Sequence, residues 1–160
     1  MSTGKPTQLT MSQLREADNL DLGASDWLRI EQDRIHRFAD ATEDRQWIHI
    51  DVERARESPF GTTIAHGFLV LSLVPKLFFE LAEFPDAGAI VNLGLDKVRF
   101  MSPVPAGAEV RLKARVISAR ERSGGLAFRV RGTVELRETG RRAMVAEVLF
   151  LAQPTPIQEA

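Results

Sequence analysis

The segment Asp44-Arg45-Gln46-Trp47-Ile48-His49 sets a carboxylate and an imidazole five residues apart in a stretch with no regular periodicity. Brought to one point, the two groups can hold a water molecule, draw off its proton and deliver a proton elsewhere, which is general acid–base chemistry. The same residues also have a plainer use. Asp44 can end the preceding helix or cap a turn, and His49 can be a surface or packing residue.

A second group, Gly61-Thr62-Thr63-Ile64-Ala65-His66-Gly67, leads straight into a strongly apolar segment. Glycine at a helix start lets a ligand approach exposed backbone N–H groups, and those donors with the helix dipole suit a developing oxyanion. As a packing feature the same loop would seat the helix on a sheet, with His66 hydrogen-bonded inside it. Ser72 lies one turn past Gly67. It either meets a ligand or bonds the carbonyl four residues back. No Gly-x-Ser-x-Gly elbow surrounds it, so it is not read as a nucleophile.

Other polar residues carry less. Asp40 is a reserve acid near a helix end, and His36 is expected at the surface. Arg99, Arg111 and Arg115 fall on strand positions where charges form a solvated face. His36, His49 and His66 show no metal-ligand spacing, and no glycine-rich nucleotide fingerprint follows a strand.

The elements that must position these groups change period along the chain. Met11 to Ala17 reads as a short helix capped by Thr10, and Trp27–Ile30 as a short strand. From Glu31 to Ala41, Ile35, Phe38 and Ala39 recur at i, i+3 and i+4, the spacing of an amphipathic helix. Residues 43–65 form a long irregular stretch with a helical turn or two around Val52–Arg56, and long loops in compact domains are usually functional. From Ala65 to Phe84 the chain is apolar nearly all round, which predicts one long helix buried on most sides and bent at Pro75. Beyond it, Glu109–Ser118 and Leu126–Leu136 alternate apolar and polar residues, as half-buried strands do. Ala89–Phe100 and Met144–Leu151 read as further strands, with turns at Ser123-Gly124-Gly125 and Glu138-Thr139-Gly140. The expected architecture is α+β: a single domain in which an antiparallel sheet of about five strands wraps a long central helix, with residues 1–8 a loose leader.

Composition narrows the function classes. The chain has 160 residues, 44% apolar and 27% charged, enough for a core without staples. Without cysteine there is no thiol nucleophile, disulfide or cysteine-bound metal. A formal charge of −1 and a pI near 6.3 give no global attraction to nucleic acid. The polar start shows no secretory signal, and no apolar run reaches membrane length, so a cytoplasmic protein with no membrane association is expected.

Taken together, Phe38-Ala39-Asp40-Ala41-Thr42-Glu43-Asp44-Arg45-Gln46-Trp47-Ile48-His49-Ile50-Asp51 and Ile64-Ala65-His66-Gly67-Phe68-Leu69-Val70-Leu71-Ser72-Leu73 resemble the MaoC-like dehydratase family. Its best-known members are the (R)-specific enoyl-CoA hydratases. The Gln-Trp-Ile-His form is similar to the subgroup that includes nodulation protein N-like members. The resemblance covers about residues 25–151, and Lys97-Val98-Arg99-Phe100-Met101-Ser102-Pro103-Val104 also fits it. It implies a hot-dog fold, a homodimer, and hydration of an acyl thioester, or the reverse dehydration. CoA or a carrier protein would then be part of the substrate, and no separate cofactor or metal is needed. Asp44 and His49 match the family's acid–base pair, the backbone N–H of Gly67 its oxyanion donor, and Ser72 its helix serine. Gln46 stands where Asn is common and Trp47 where Pro is common. These departures leave the pair intact and bear on the polar detail of the pocket, where Gln46 is expected to meet substrate. The alternatives are a hot-dog thioesterase and a non-catalytic module that binds an acyl thioester.

Overall fold

The computed structural model describes residues 5–155. In chain order the elements are β1 (Thr7–Gln8), α1 (Met11–Arg15), β2 (Leu20–Ala24), β3 (Leu28–Arg29), α2 (Gln32–Thr42), α3 (Trp47–Ile50) and α4 (Val52–Arg56). There follow α5 (Gly67–Ser72), α6 (Val74–Phe79), β4 (Ala82–Glu83), β5 (Ala87–Phe100), β6 (Glu109–Arg122), β7 (Gly125–Leu136) and β8 (Arg142–Pro154). Of the expected leader, residues 1–4 lie outside the described residues, and Thr7–Gln8 pair in parallel with Ala82–Glu83. The cap expected at Thr10 is present as a reciprocal box. The Thr10 hydroxyl accepts from Gln13 N–H at 3.2 Å, and the Gln13 side chain accepts from Thr10 N–H at 2.9 Å.

The main sheet is antiparallel and runs β2-β6-β7-β8-β5, with β3 also on β6. Its register follows from the alternation of side chains. Val110 lies opposite Leu136, Leu112 opposite Val134 and Val116 opposite Val130, all buried. The intervening Arg111 and Glu135 face outward as an ion pair, so a one-residue slip would drive charge into the core.

The apolar segment after Gly67 lies against the inner face. Phe78 stacks on Phe150 at 5.2 Å, and Phe128 stacks on Phe150 at 5.3 Å. Two expectations for this segment need correction. The helix is split at Leu73 into α5 and α6 and ends at Phe79 rather than Phe84, because Pro75 has no N–H to give the Leu71 carbonyl. Nor is it buried on most sides: Phe68 is 69% exposed and Phe79 42%. One sheet covers one side of a helix, and the described residues bring nothing to cover Phe68 or Phe79 on the other.

Candidate active site

The turn that ends α2 delivers Asp44. Glu43 takes the left-handed conformation with φ 61°, which reverses the chain so that Asp44 starts a new direction. Arg45 then reaches back to Asp40 at 3.1 Å. This pair occupies the reserve acid at an exposed edge, and Asp40 takes no part in the site. His36 is also exposed, within 3.4 Å of the Ile50 carbonyl.

His49 sits on the single turn of α3 with its ring inward, 6% exposed. Three ties fix it. Its backbone N–H donates to the Gln46 carbonyl at 3.0 Å, and its carbonyl accepts from Gln32 Nε2 at 2.8 Å. The ring Nδ1 lies 2.7 Å from the Ile64 carbonyl. A carbonyl only accepts, so Nδ1 carries the proton and, in the neutral ring, Nε2 carries the lone pair. Gln32 also receives the Thr63 hydroxyl. One α2 side chain therefore clamps the α3 turn to the 61–66 loop. The loop itself is strung between Ile48 and Val104, through Ile64 N–H to the Ile48 carbonyl and Ala65 N–H to the Val104 carbonyl.

These constraints bring the acid and the imidazole together. One donor atom each of Asp44, His49 and His66 lie within 4.8 Å of one another. Gln46 Nε2 donates to Asp44 Oδ1 at 3.2 Å, so Gln46 steadies the carboxylate from the exposed side. Burial pushes the His49 imidazole below its ordinary value of 6.5, and a charge on His66 would push it the same way. The bond to Ile64 and the Asp44 carboxylate act against that shift. The balance favours a neutral ring, ready to accept a proton.

His49 and Gly67 line one cleft of about 340 Å³, walled by Ile48, Val70, Phe100, Met101 and Val104. Gly67 opens α5, so its N–H has no acceptor within the helix. A Cβ there would lie 3.0 Å from the Phe100 ring, so only glycine leaves the ring and the peptide in contact. Ser72 is placed elsewhere. Its hydroxyl donates to the Leu69 carbonyl at 2.7 Å, and it lines a second cleft with Leu93 and Leu95 of β5. The direction of α5 carries Ser72 away from His49, and within one chain it does not join the pair.

His66, expected as a residue hydrogen-bonded inside its loop, is a full member of the cluster. It is 3% exposed, and its ring stacks on His49 with centroids 3.7 Å apart and planes 25° apart. The only local signal was its place beside Gly67, at the mouth of the apolar helix. The three donors form a set that a cation could in principle use. Stacked rings, however, carry their in-plane lone pairs side by side rather than toward one point, so ligation would require a ring to turn.

A sequence profile of the MaoC like domain matches residues 16–137. The chain is 42% identical over 139 residues to 3-hydroxyacyl-thioester dehydratase Z of Mycobacterium tuberculosis, covering 86% of this chain and 92% of that protein. It is 39% identical over 152 residues to nodulation protein N of Rhizobium leguminosarum bv. viciae, covering 93% and 94%. Among solved structures, a monoamine oxidase regulatory protein from Archaeoglobus superposes with TM-score 0.73 at 22% identity, covering 96% of this chain and 100% of that one. The unliganded R-hydratase of Pseudomonas aeruginosa superposes with TM-score 0.68 at 21% identity, covering 89% and 94%. These two likenesses show the fold, while the profile and the closer sequences show the kinship. The chain belongs to the MaoC-like dehydratase family, which sets it among the hydro-lyases.

Proposed function

We propose that this protein adds water across the double bond of a trans-2-enoyl thioester, or removes it from the (R)-3-hydroxyacyl thioester in reverse. The observation that carries this reading is the His49–Ile64 bond. It leaves Nε2 as a free base beside Asp44, at the wall of an apolar cleft that also holds Gly67. In this reading Asp44 orients a water, and His49 Nε2 takes its proton as the oxygen bonds to Cβ. The π electrons move toward the thioester oxygen, where the Gly67 N–H meets the developing charge. The proton reaches Cα through Asp44 or the same water, and the carbonyl re-forms. A positioned acid or base contributes about 10² to 10⁴ in rate, and one oxyanion donor about 10² to 10³. The apolar lining from Val70, Met101 and Val104 suits an acyl chain. The substrate brings CoA or a carrier protein, and the reaction needs no further cofactor. The names of the relatives, a 3-hydroxyacyl-thioester dehydratase and an R-hydratase, support the same class.

The working unit in this reading is a homodimer, supported by the uncovered side of α5 and α6 and by exposed Val91, Leu93 and Leu95 on the edge strand β5. A thioesterase would attack the carbonyl carbon instead, and a free-thiol assay separates the two reactions. Purified protein with crotonyl-CoA and longer enoyl thioesters should consume the enoyl absorbance without releasing thiol. Asp44→Asn and His49→Gln should nearly abolish the loss. Wild-type protein inert on every chain length, as CoA or carrier-protein thioester, would sink the proposal.

A further inference from the structure

His66 takes no part in the chemistry proposed above, yet it touches both groups that do. Its Nε2 lies 2.9 Å from the Asp44 backbone carbonyl. Nε2 must therefore carry the proton, and Nδ1 of the neutral ring holds a lone pair. That Nδ1 is buried and, among the described residues, has no hydrogen-bond partner. One face of the ring stacks on His49, and Phe38 packs at a tilt with centroids 5.0 Å apart. His66 also caps α5: its carbonyl accepts from Val70 N–H at 3.2 Å, and the peptide that follows it carries the Gly67 N–H.

A side chain placed only for packing would not keep a buried nitrogen without a partner, since desolvating it brings no return. A phenyl ring would fill this space and stack as well. What the imidazole adds is a donor at Nε2 on the same rigid ring whose face meets His49. The peptide attached to it is the one that presents the oxyanion donor. A single residue thus spans the backbone of the acid, the face of the base and the glycine N–H.

We infer that His66 is a positioning residue for the hydration chemistry, holding Asp44 by its Nε2–H and His49 by ring stacking so that the pair and the Gly67 N–H keep one geometry. This rests on the reading of Asp44 and His49 as the acid–base pair. The charged or titratable groups that act on His49 are Asp44, from the segment after α2, and His66 itself. Gln32, which reaches His49 from α2, is uncharged.

Two variants divide the two contacts. His66→Gln keeps an N–H at the reach of Nε2 and loses the stack, while His66→Phe keeps the ring and loses the bond to Asp44. Steady-state rates on an enoyl thioester that the wild type turns over should show kcat lowered by roughly 10- to 100-fold in each variant, with a much smaller change in KM. The acid limb of kcat/KM should also move to higher pH in His66→Gln, where loss of the stacked ring weakens the burial that holds His49 down, and stay in place in His66→Phe. A merely structural role would lower the amount of folded enzyme and leave that limb in place in both. Folded variants with wild-type kcat, and an unmoved limb in His66→Gln, would overturn the inference. If neither variant folds, imidazole ¹⁵N spectra of the wild type decide it. An Nε2–H tautomer at His66 with Nδ1–H at His49 supports the assignment, and any other tautomer pair overturns it. Wild-type protein without turnover on any enoyl thioester overturns the functional reading instead, so the two failures are distinct.

Discussion

His49 gives its Nδ1–H to the carbonyl of Ile64 at 2.7 Å, and this one bond decides which ring nitrogen can act as a base. Burial holds the imidazole below its ordinary 6.5. The acid limb of kcat/KM should therefore fall below pH 6.5, since the free enzyme needs His49 neutral. The unfolded chain takes up a proton at the ordinary value while the folded chain does not. Stability should therefore decline as the pH drops from 6.5 toward the folded value, then level off. In His49→Gln that slope should vanish. A pH–rate profile and denaturant melts across the same range test both, and an acid limb above 6.5 would contradict the buried neutral base.

Gly67 and Phe100 share a contact too tight for a methyl group unless the ring shifts, because a Cβ on residue 67 would sit 3.0 Å from two carbons of the Phe100 ring and 3.1 Å from a third. The Phe100 ring is 49% exposed and can give way, so Gly67→Ala should fold with little loss of stability. The displaced ring should crowd the cleft, lowering kcat/KM by about 10- to 100-fold. Adding Phe100→Ala should restore part of it. A fully active Gly67→Ala would mean that substrate does not need the bare glycine face.

The alternation in Glu109–Ser118 and Leu126–Leu136 was readable because a half-buried strand must put every second residue in the core, and β6 and β7 contain both segments. β2 escaped notice because Asp21 and Gly23 interrupt its pattern. The strand bulges between them, and Gly23 takes φ 78°. β1 and β4 are two residues each, too short for any period to register. The convergence of Asp44 and His49 was foreshadowed by their irregular loop. The place of His66 was not, since its stack depends on the Gln32 clamp and the Ile48–Ile64 bond, contacts between segments distant in sequence. Ser72 lines the cleft beside β5 because its direction depends on how α5 leaves the loop, which spacing does not reveal.

Glu147 is a buried carboxylate, 4% exposed, held by Arg131 at 2.9 Å, Lys97 at 3.1 Å and Arg129 at 3.2 Å. Lys97 sits in the irregular part of β5 with φ 52°, where the register shifts between Asp96 and Arg99. The Arg131 bond, aided by Lys97 and opposed by burial, keeps Glu147 below its ordinary 4.5. Its stabilising effect is thus present above 4.5 and lost as the pH falls through the folded value. Glu147→Gln should cost about 1–3 kcal/mol near neutrality and flatten the acid dependence. Urea melts near neutrality and well below 4.5 measure both, and a variant matching the wild type at each pH would remove Glu147 from this role.

The edge strand β5 and the open side of α5 and α6 together pose a problem of exposure. Phe68, Leu93 and Leu95 are exposed, and a cleft of about 480 Å³ between β5 and the helices is lined by Leu71, Val74, Leu93, Leu95 and Val148. A long unpaired edge beside apolar surface invites pairing with another chain. A two-fold pairing of β5 with a second β5 would satisfy its backbone groups and cover both helix faces at once, which is how a closed dimer uses one patch twice. Wild-type protein should therefore sediment as a dimer, and Leu95→Asp should give monomers, because pairing would bury a carboxylate of each chain in an apolar setting. Turnover should fall with dissociation and recover at high protein concentration. A wild-type protein that sediments as a monomer at all concentrations would leave β5 and Phe68 without this partner.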